Sequence, residues 1–210
     1  MVQTAACEAL NAIRRSQPAG QETGDADGGA SEDAAVAAAN HATLSKLVPW
    51  RQTEIDKEFQ RAVAGVPDGP AKAAGLAAGE QAAAAVIRWR AEDGATAAEA
   101  YRPRTAAGVY EPTSLPAVPQ WPHRRPWVMV RADEFRPGPP PRLSSERWAR
   151  DFNEIKALGG RDSTRRGATQ TDIARFWEVT GPAIYYGLVK SVAMAPGRKP
   201  LENAKLLAAA

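Results

Sequence analysis

The chain has 210 residues, 44% hydrophobic and 24% charged, a balance ordinary for a globular protein and enough to bury a core without staples. A single cysteine, Cys7, excludes an internal disulfide framework and any cysteine-rich zinc site. The net charge of +3 is uneven, with 9 Lys and Arg against 14 Asp and Glu in residues 1–100, and 18 against 10 in residues 101–210. A basic half can draw phosphate or nucleic acid, but arginines scattered through loops and solvated helix faces are the plainer reading.

The opening residues lack the basic segment and apolar run of a secretory signal. The most apolar stretch, Ala71 to Ile87, is mostly alanine and is interrupted by Glu80 and Gln81, which does not suit a membrane span. Localisation therefore stays open. Met1 leads straight into a helical pattern, so an origin further upstream is expected.

Residues 2–14 (VQTAACEALNAIR) read as a short alanine-rich helix, and residues 16–31 as a flexible Gly/Asp/Ser loop. The next helix is expected to start near Ser31, with Glu32 and Asp33 favourable in its first turn, and to stop before Pro49. Ile55, Phe59, Ala62 and Val66 recur at helical spacing. Pro67-Asp68-Gly69-Pro70 breaks the chain, and Pro70 suits the first turn of a long helix to about Arg90. Gly75, Gly79 and the alanines between them give that helix a thin side that another helix can approach closely. Trp89 is expected to anchor its far end.

Residues 102–143 differ in kind, holding ten of the 17 prolines. Proline removes amide donors and fixes φ, which argues against long regular elements. Trp121, Trp127 and Phe135 argue against a plain disordered linker. An ordered loop wrapped over the helices is expected, with a short extended piece at Trp127–Val130. Helices then return. Trp148, Phe152 and Ile155 form one apolar stripe, ended by Gly159-Gly160. Thr169 with Asp172 resembles a capping box. Ile173, Phe176 and Trp177 follow, then Ile184, Leu188 and Val192 beyond Gly181-Pro182. Pro200 opens a last helix that is still running at Ala210. The fold expected is an all-α helical bundle with a long proline-rich loop. Its organisation is one partial domain over 1–210, with N-terminal helices in 1–100, an ordered proline/tryptophan-rich loop in 101–144 and C-terminal helices in 145–210.

Sites of chemistry are sparse. There is no G-x-S-x-G, G-x-x-x-x-G-K, G-x-G-x-x-G or H-E-x-x-H, and the acidic GDADGG at 24–29 would repel phosphate. His123 stands beside Arg124 and Arg125 and could join them in holding an anion; a loop surface with structural tryptophans is the preferred account. His41, mid-helix among alanines, is expected to pack or cap locally. Asp151 and Glu154 are three apart on one helix, but Arg147 and Arg150 make surface pairing the better explanation. Residues 169–190 (TQTDIARFWEVTGPAIYYGLVK) have the spacing of a helix-turn-helix, and the basic second half suits DNA. Against this, Glu178 stands where the turn normally has glycine, Pro182 falls at the start of the second helix, and that helix has no Arg or Asn to read bases.

A longer pattern accompanies these. It comprises AACEALNAI near the start, PDGPAKAAGLAAGEQAAAAVIRWRAEDG at 67–94, the P-x-W-x-x-x-R-P-W block at 119–127, FRPGPPP at 135–141, DFNEIKALGG at 151–160, QTDIARFW at 170–177 and LENAKLL at 201–207. In this order they resemble the N-terminal half of bacterial vanadium-dependent haloperoxidase-like proteins, of the phosphatidic-acid-phosphatase type 2 superfamily. The resemblance implies a helical bundle around a vanadate or phosphate site, halide oxidation by hydrogen peroxide or phosphate-ester hydrolysis, and vanadate as the cofactor of the full-length family. It also implies an oxyanion held by Lys and Arg, with a Lys before Arg-Pro, then Pro-Ser-Gly-His, then an Arg and a later His. No Ser-Gly-His occurs, none of the Arg-Pro pairs at 102–103, 125–126 and 136–137 has the preceding Lys, and no histidine follows His123. No catalytic, cofactor-binding or metal-binding residue is therefore carried over, and no cofactor is expected in this chain alone. The expectation is an N-terminal scaffold, inactive alone, partnered by a missing C-terminal half or by a second copy, with neither nucleic acid nor membrane as partner. The alternative is a DNA-binding protein using 169–190.

Overall fold

The computed structural model describes residues 1–15, 29–178 and 182–210; the loop expected at 16–31 falls mostly outside them. Among the described residues there are eight α-helices and no strand. They are α1 (Val2–Arg15), α2 (Glu32–Leu47), α3 (Gln52–Ala64), α4 (Pro70–Arg90), α5 (Glu146–Leu158), α6 (Ala168–Phe176), α7 (Pro182–Ala193) and α8 (Pro200–Ala209). The chain divides into two compact units, one of Met1–Ala91 with Gly181–Ala210, the other of Glu92–Thr180.

The first unit is a small bundle. α1, α2 and α4 pack on one another, α8 lies on α1, α3 on α2, and α7 on α8. Its core is made of small side chains, with Ala5, Ala9, Ala35, Ala39 and Ala83 fully enclosed around Ile13 and Val86. A second cluster joins Cys7 and Leu10 of α1 to Leu201 and Ala204 of α8. Alanine suits both requirements at once: it is the best helix former and it lets axes approach. Local signals set the ends of the helices. The Ser31 hydroxyl accepts from the Ala34 amide at 3.3 Å, capping α2. The Ser31 amide donates to the Ala71 carbonyl at 2.9 Å, tying the start of α2 to the start of α4. Pro70 is the first residue of α4, and Lys72 donates to the Val66 carbonyl and the Asp68 carboxylate, closing the turn before it.

The thin side of α4 meets α2. A Cβ at Gly75 would stand 2.4 Å from the Ser31 carbonyl oxygen, and one at Gly79 only 2.3 Å from that of Ala35. Those distances are far inside ordinary contact, so glycine is required at both crossings. The far end of α4 is a correction to the sequence reading: Trp89 is 46% exposed and Arg90 is the buried residue, at 2%. Gly75, Gly79, Ala82 and Val86 form one stripe, and at about 100° per residue Trp89 and Arg90 flank its continuation on opposite sides; Arg90 is on the side the fold covers. The Arg90 guanidinium lies 5.3 Å from the Trp89 ring centroid.

In the second unit, residues 92–145 run in turns and bends with one 3-10 turn at Trp121–His123. The short extended piece expected at Trp127–Val130 is a series of bends instead. Asp93 holds this segment together. Its carboxylate meets Arg124 at 2.5 Å and accepts the Ala95 amide at 2.9 Å, and its carbonyl accepts the Arg125 amide at 2.8 Å. Gly94 lies between, at φ +89°, where a Cβ would crowd the His123 carbonyl at 3.2 Å. α5 begins at the Ser145 cap, whose hydroxyl accepts the Trp148 amide at 3.2 Å. α6 begins earlier than the expected Thr169 box: Gly167 is the cap residue, and the Gln170 side chain accepts its amide at 3.0 Å. Arg166 joins the two helices. Its guanidinium donates to the carbonyls of Leu158, Gly160 and Arg161 and to the Thr171 hydroxyl. Neither α5 nor α6 contains a buried residue.

Candidate functional site

Of His123, Arg124 and Arg125, the middle residue is already engaged. Arg124 turns to the Asp93 carboxylate, whose side chain is only 1% exposed, and lies 4.7 Å from the Trp121 ring centroid. A cation so neutralised fixes the loop; it has little charge left for an incoming anion. The motif is a structural clasp, with its tryptophans Trp121 and Trp127 exposed.

His41 sits on α2 with its ring stacked on Phe59 of α3, centroids 4.4 Å apart, and its Nε2 2.8 Å from the Asp56 carboxylate. Gln52 donates to the same carboxylate oxygen at 2.7 Å and to the Ser45 hydroxyl at 3.0 Å. The His41 bond, then the Gln52 bond, holds the Asp56 carboxyl below its ordinary range. A His–Asp pair is a component of acid–base sites, but among the described residues the lining of the groove beside this one holds no Ser, Thr, Cys or Lys. It pins α3 to α2. Asp151 pairs with Arg150 at 3.0 Å and more loosely with Arg147 at 3.8 Å. Of the helix-turn-helix segment, residues 179–181 lie outside the described residues, and α6 and α7 fall in separate units. Cys7 is buried against α8, and that burial, then Glu8, pushes its thiol above the ordinary range.

Vanadate requires several cationic side chains aimed at one point. Among the described residues no such convergence exists at His123, where Arg124 is neutralised, nor at Arg166, whose guanidinium is spent on carbonyls. Neither of these two places fits the group. No cluster of three or more His, Cys, Asp or Glu able to hold a metal occurs among the described residues, and none of the described helices is long and apolar enough to cross a membrane.

Sequence reasoning missed two features. One is Arg166, which a sequence shows only as one arginine among four in residues 161–166 and 175. The other is a groove along the outward face of α2. It is lined by Ala37, Leu44 and Val48 on α2 and the segment after it, and by Ile55, Phe59 and Ala62 on α3, with a volume of about 460 Å³. The signal lay in the spacing of Ala37, Leu44 and Val48 with Asn40 between them, a second stripe on α2 besides its buried alanines.

No family model matches the chain, and no curated protein or solved structure matches it.

Proposed function

We propose that these residues form the N-terminal helical scaffold of a vanadium-dependent haloperoxidase- or acid-phosphatase-like protein. The oxyanion-binding Lys, Arg and His side chains of such a protein lie outside these 210 residues. The reading rests on the ordered sequence resemblance, and one structural observation supports it. The second unit's helices turn large apolar side chains to solvent, with Phe152 49%, Ile155 70%, Phe176 69% and Trp177 59% exposed. α7 does the same with Tyr185, Tyr186 and Leu188. Covering each such side chain stabilises by about 1.5–3 kcal/mol, so contiguous uncovered stripes mark faces made for further protein. A scaffold that surrounds a site built by other helices has this character.

The test has two arms. The purified chain, given vanadate, hydrogen peroxide and bromide, is expected to brominate monochlorodimedone no faster than buffer, and likewise to leave p-nitrophenyl phosphate intact. Joined to a segment carrying Pro-Ser-Gly-His encoded downstream in the same gene or beside it, it is expected to turn over. Turnover by the 210 residues alone, or neighbouring DNA without that motif, overturns the reading. The competing DNA-binding reading predicts a duplex shift that weakens steeply with salt, which the scaffold reading does not.

A further inference from the structure

α2 has two working faces. One, through Ala35, Ala38 and Ala39, is buried in the bundle. The opposite one carries Ala37, Asn40, Leu44 and, just past the helix, Val48, with Val36 at its margin against the core. These recur at i, i+3/i+4 spacing, the pattern by which one helix receives another. α3 walls this face on one side with Ile55, Phe59 and Ala62, and α8 walls its other end with Ala204 and Leu207. Two cavities of about 460 and 550 Å³ therefore lie end to end, sharing Ala37, Asn40 and Ala62.

From Asp33 to Val48 the floor covers about 22 Å, four helical turns at 1.5 Å per residue. Its middle is small: Ala37 and Ala62 line both cavities where they meet, so a backbone can come close. The buried Asn40 Oδ1 there has no partner. The edges are acidic on balance, with Asp33 at one end and Glu54 and Glu58 along α3 against Arg51, which lines the same groove. Glu54 and Glu58 are paired only to Arg51 and Arg61 of their own neighbourhood, in exposed contacts, and such pairs hold their partners weakly. Carboxylates on the rim repel an anionic amphiphile and favour a basic one.

We propose that this groove seats an amphipathic α-helix of a partner protein, about four turns long, with a small-and-aliphatic face turned in and Lys or Arg on its flanks. The inference stands on the geometry of α2, α3 and α8 and does not rest on the haloperoxidase-like reading.

The experiment uses the full chain and two fluorescein-labelled 15-residue helical peptides. Both carry Leu and Ala on one face; one has Lys and the other Glu on the remaining face. Fluorescence anisotropy is expected to show saturable micromolar binding of the Lys peptide and at least tenfold weaker binding of the Glu peptide. Ala62→Gln, at an exposed position on α3, and Ala37→Gln should each weaken the Lys peptide at least tenfold. Ala64→Gln, on α3 but off the groove, should leave it unchanged. Glu54→Lys with Glu58→Lys should invert the preference between the peptides. Thermal melts confirm that each variant is folded. Absence of saturable binding, binding indifferent to Ala62→Gln, or equal binding of both peptides overturns the proposal. So does binding to phosphatidylcholine vesicles that is lost in Ala62→Gln, which would give the groove to a lipid surface.

Discussion

Replacing Gly79 by Ala sets two effects of opposite sign against each other. In an open helix interior the change stabilises by about 1 kcal/mol, since Gly is the poorer helix former by that amount. At Gly79 the new Cβ would stand 2.3 Å from the Ala35 carbonyl oxygen, 2.7 Å from the Ala38 Cβ and 2.8 Å from the Ala39 amide nitrogen. Two of these neighbours are backbone, and none is the free end of a long side chain. Restoring 3.4 Å, where ordinary contact begins, needs α4 to retreat from α2 by about 1.1 Å, the difference from 2.3 Å. A gap of 0.5–1 Å already forfeits a quarter to a half of each dispersion contact, and the retreat would loosen Ala35, Ala39, Ala82 and Ala83 together. Overpacking of this severity costs about 3 kcal/mol. The net expectation is a loss of about 2 kcal/mol, or a fall in Tm of roughly 4–8 °C for a chain of this length. Urea unfolding followed by circular dichroism at 222 nm measures it. Gly187→Ala is the control: on α7, with nothing within 4 Å of its new Cβ, it should be neutral or stabilise by up to about 1 kcal/mol. A Gly79→Ala protein as stable as its parent, with the control behaving, refutes the close crossing of α2 and α4.

Arg166→Ala removes donors to Leu158, Gly160, Arg161 and Thr171 at once; amide exchange across residues 160–171 is expected to speed about tenfold, and Arg166→Lys, lacking the planar fork, should not restore it. Asp93→Ala leaves Arg124 without its buried carboxylate; a loss of about 2–3 kcal/mol locally is expected to appear as faster tryptic cleavage after Arg124. Cys7 is buried and its thiol is raised by that burial, so Ellman's reagent should react slowly in native buffer and faster in Leu201→Ala, which thins the cover from α8. Asp56 has its folded pKa below the ordinary 3.8. Its contribution is therefore full above that value and lost as pH falls through the lower folded one, and Asp56→Asn should flatten the acid limb of the stability curve slightly, the pair being exposed.

What could be read in advance was what neighbours in sequence decide. Ser31 with Glu32 and Asp33 is a complete local cap signal, and the structure uses it as such. Pro70 and the Gly75/Gly79 spacing announced the first turn of α4 and its thin side because both depend on geometry within a turn or two. The misreadings arose where side-chain size was trusted over position. Trp89 is the larger residue, but of the two positions that flank the end of the stripe it is that of Arg90 which is buried. At α6 the cap is a glycine with no side chain to betray it; the visible half of the motif was Gln170, three residues on. The clasp at Asp93 joins residues 31 apart. Nothing in a local window can show that, although Asp93-Gly94 does mark a turn.

The distribution of side chains carries a consequence for function. In the first unit the enclosed residues are mostly alanine, and its stability comes from many close backbone approaches. The large apolar residues of α5 and α6, by contrast, are spread over the solvent side. Phe152 is half exposed and stacks on Trp148 at 4.9 Å, but Ile155 is 70% and Ile173 55% exposed, so truncating either of these removes area that is mostly not yet buried. Substitutions such as Ile155→Ser and Ile173→Ser should therefore leave the melting of this chain within about 0.5 kcal/mol of the parent and raise its solubility. If instead either costs more than about 2 kcal/mol, those faces are already covered within the chain, and the scaffold reading loses the observation that supports it.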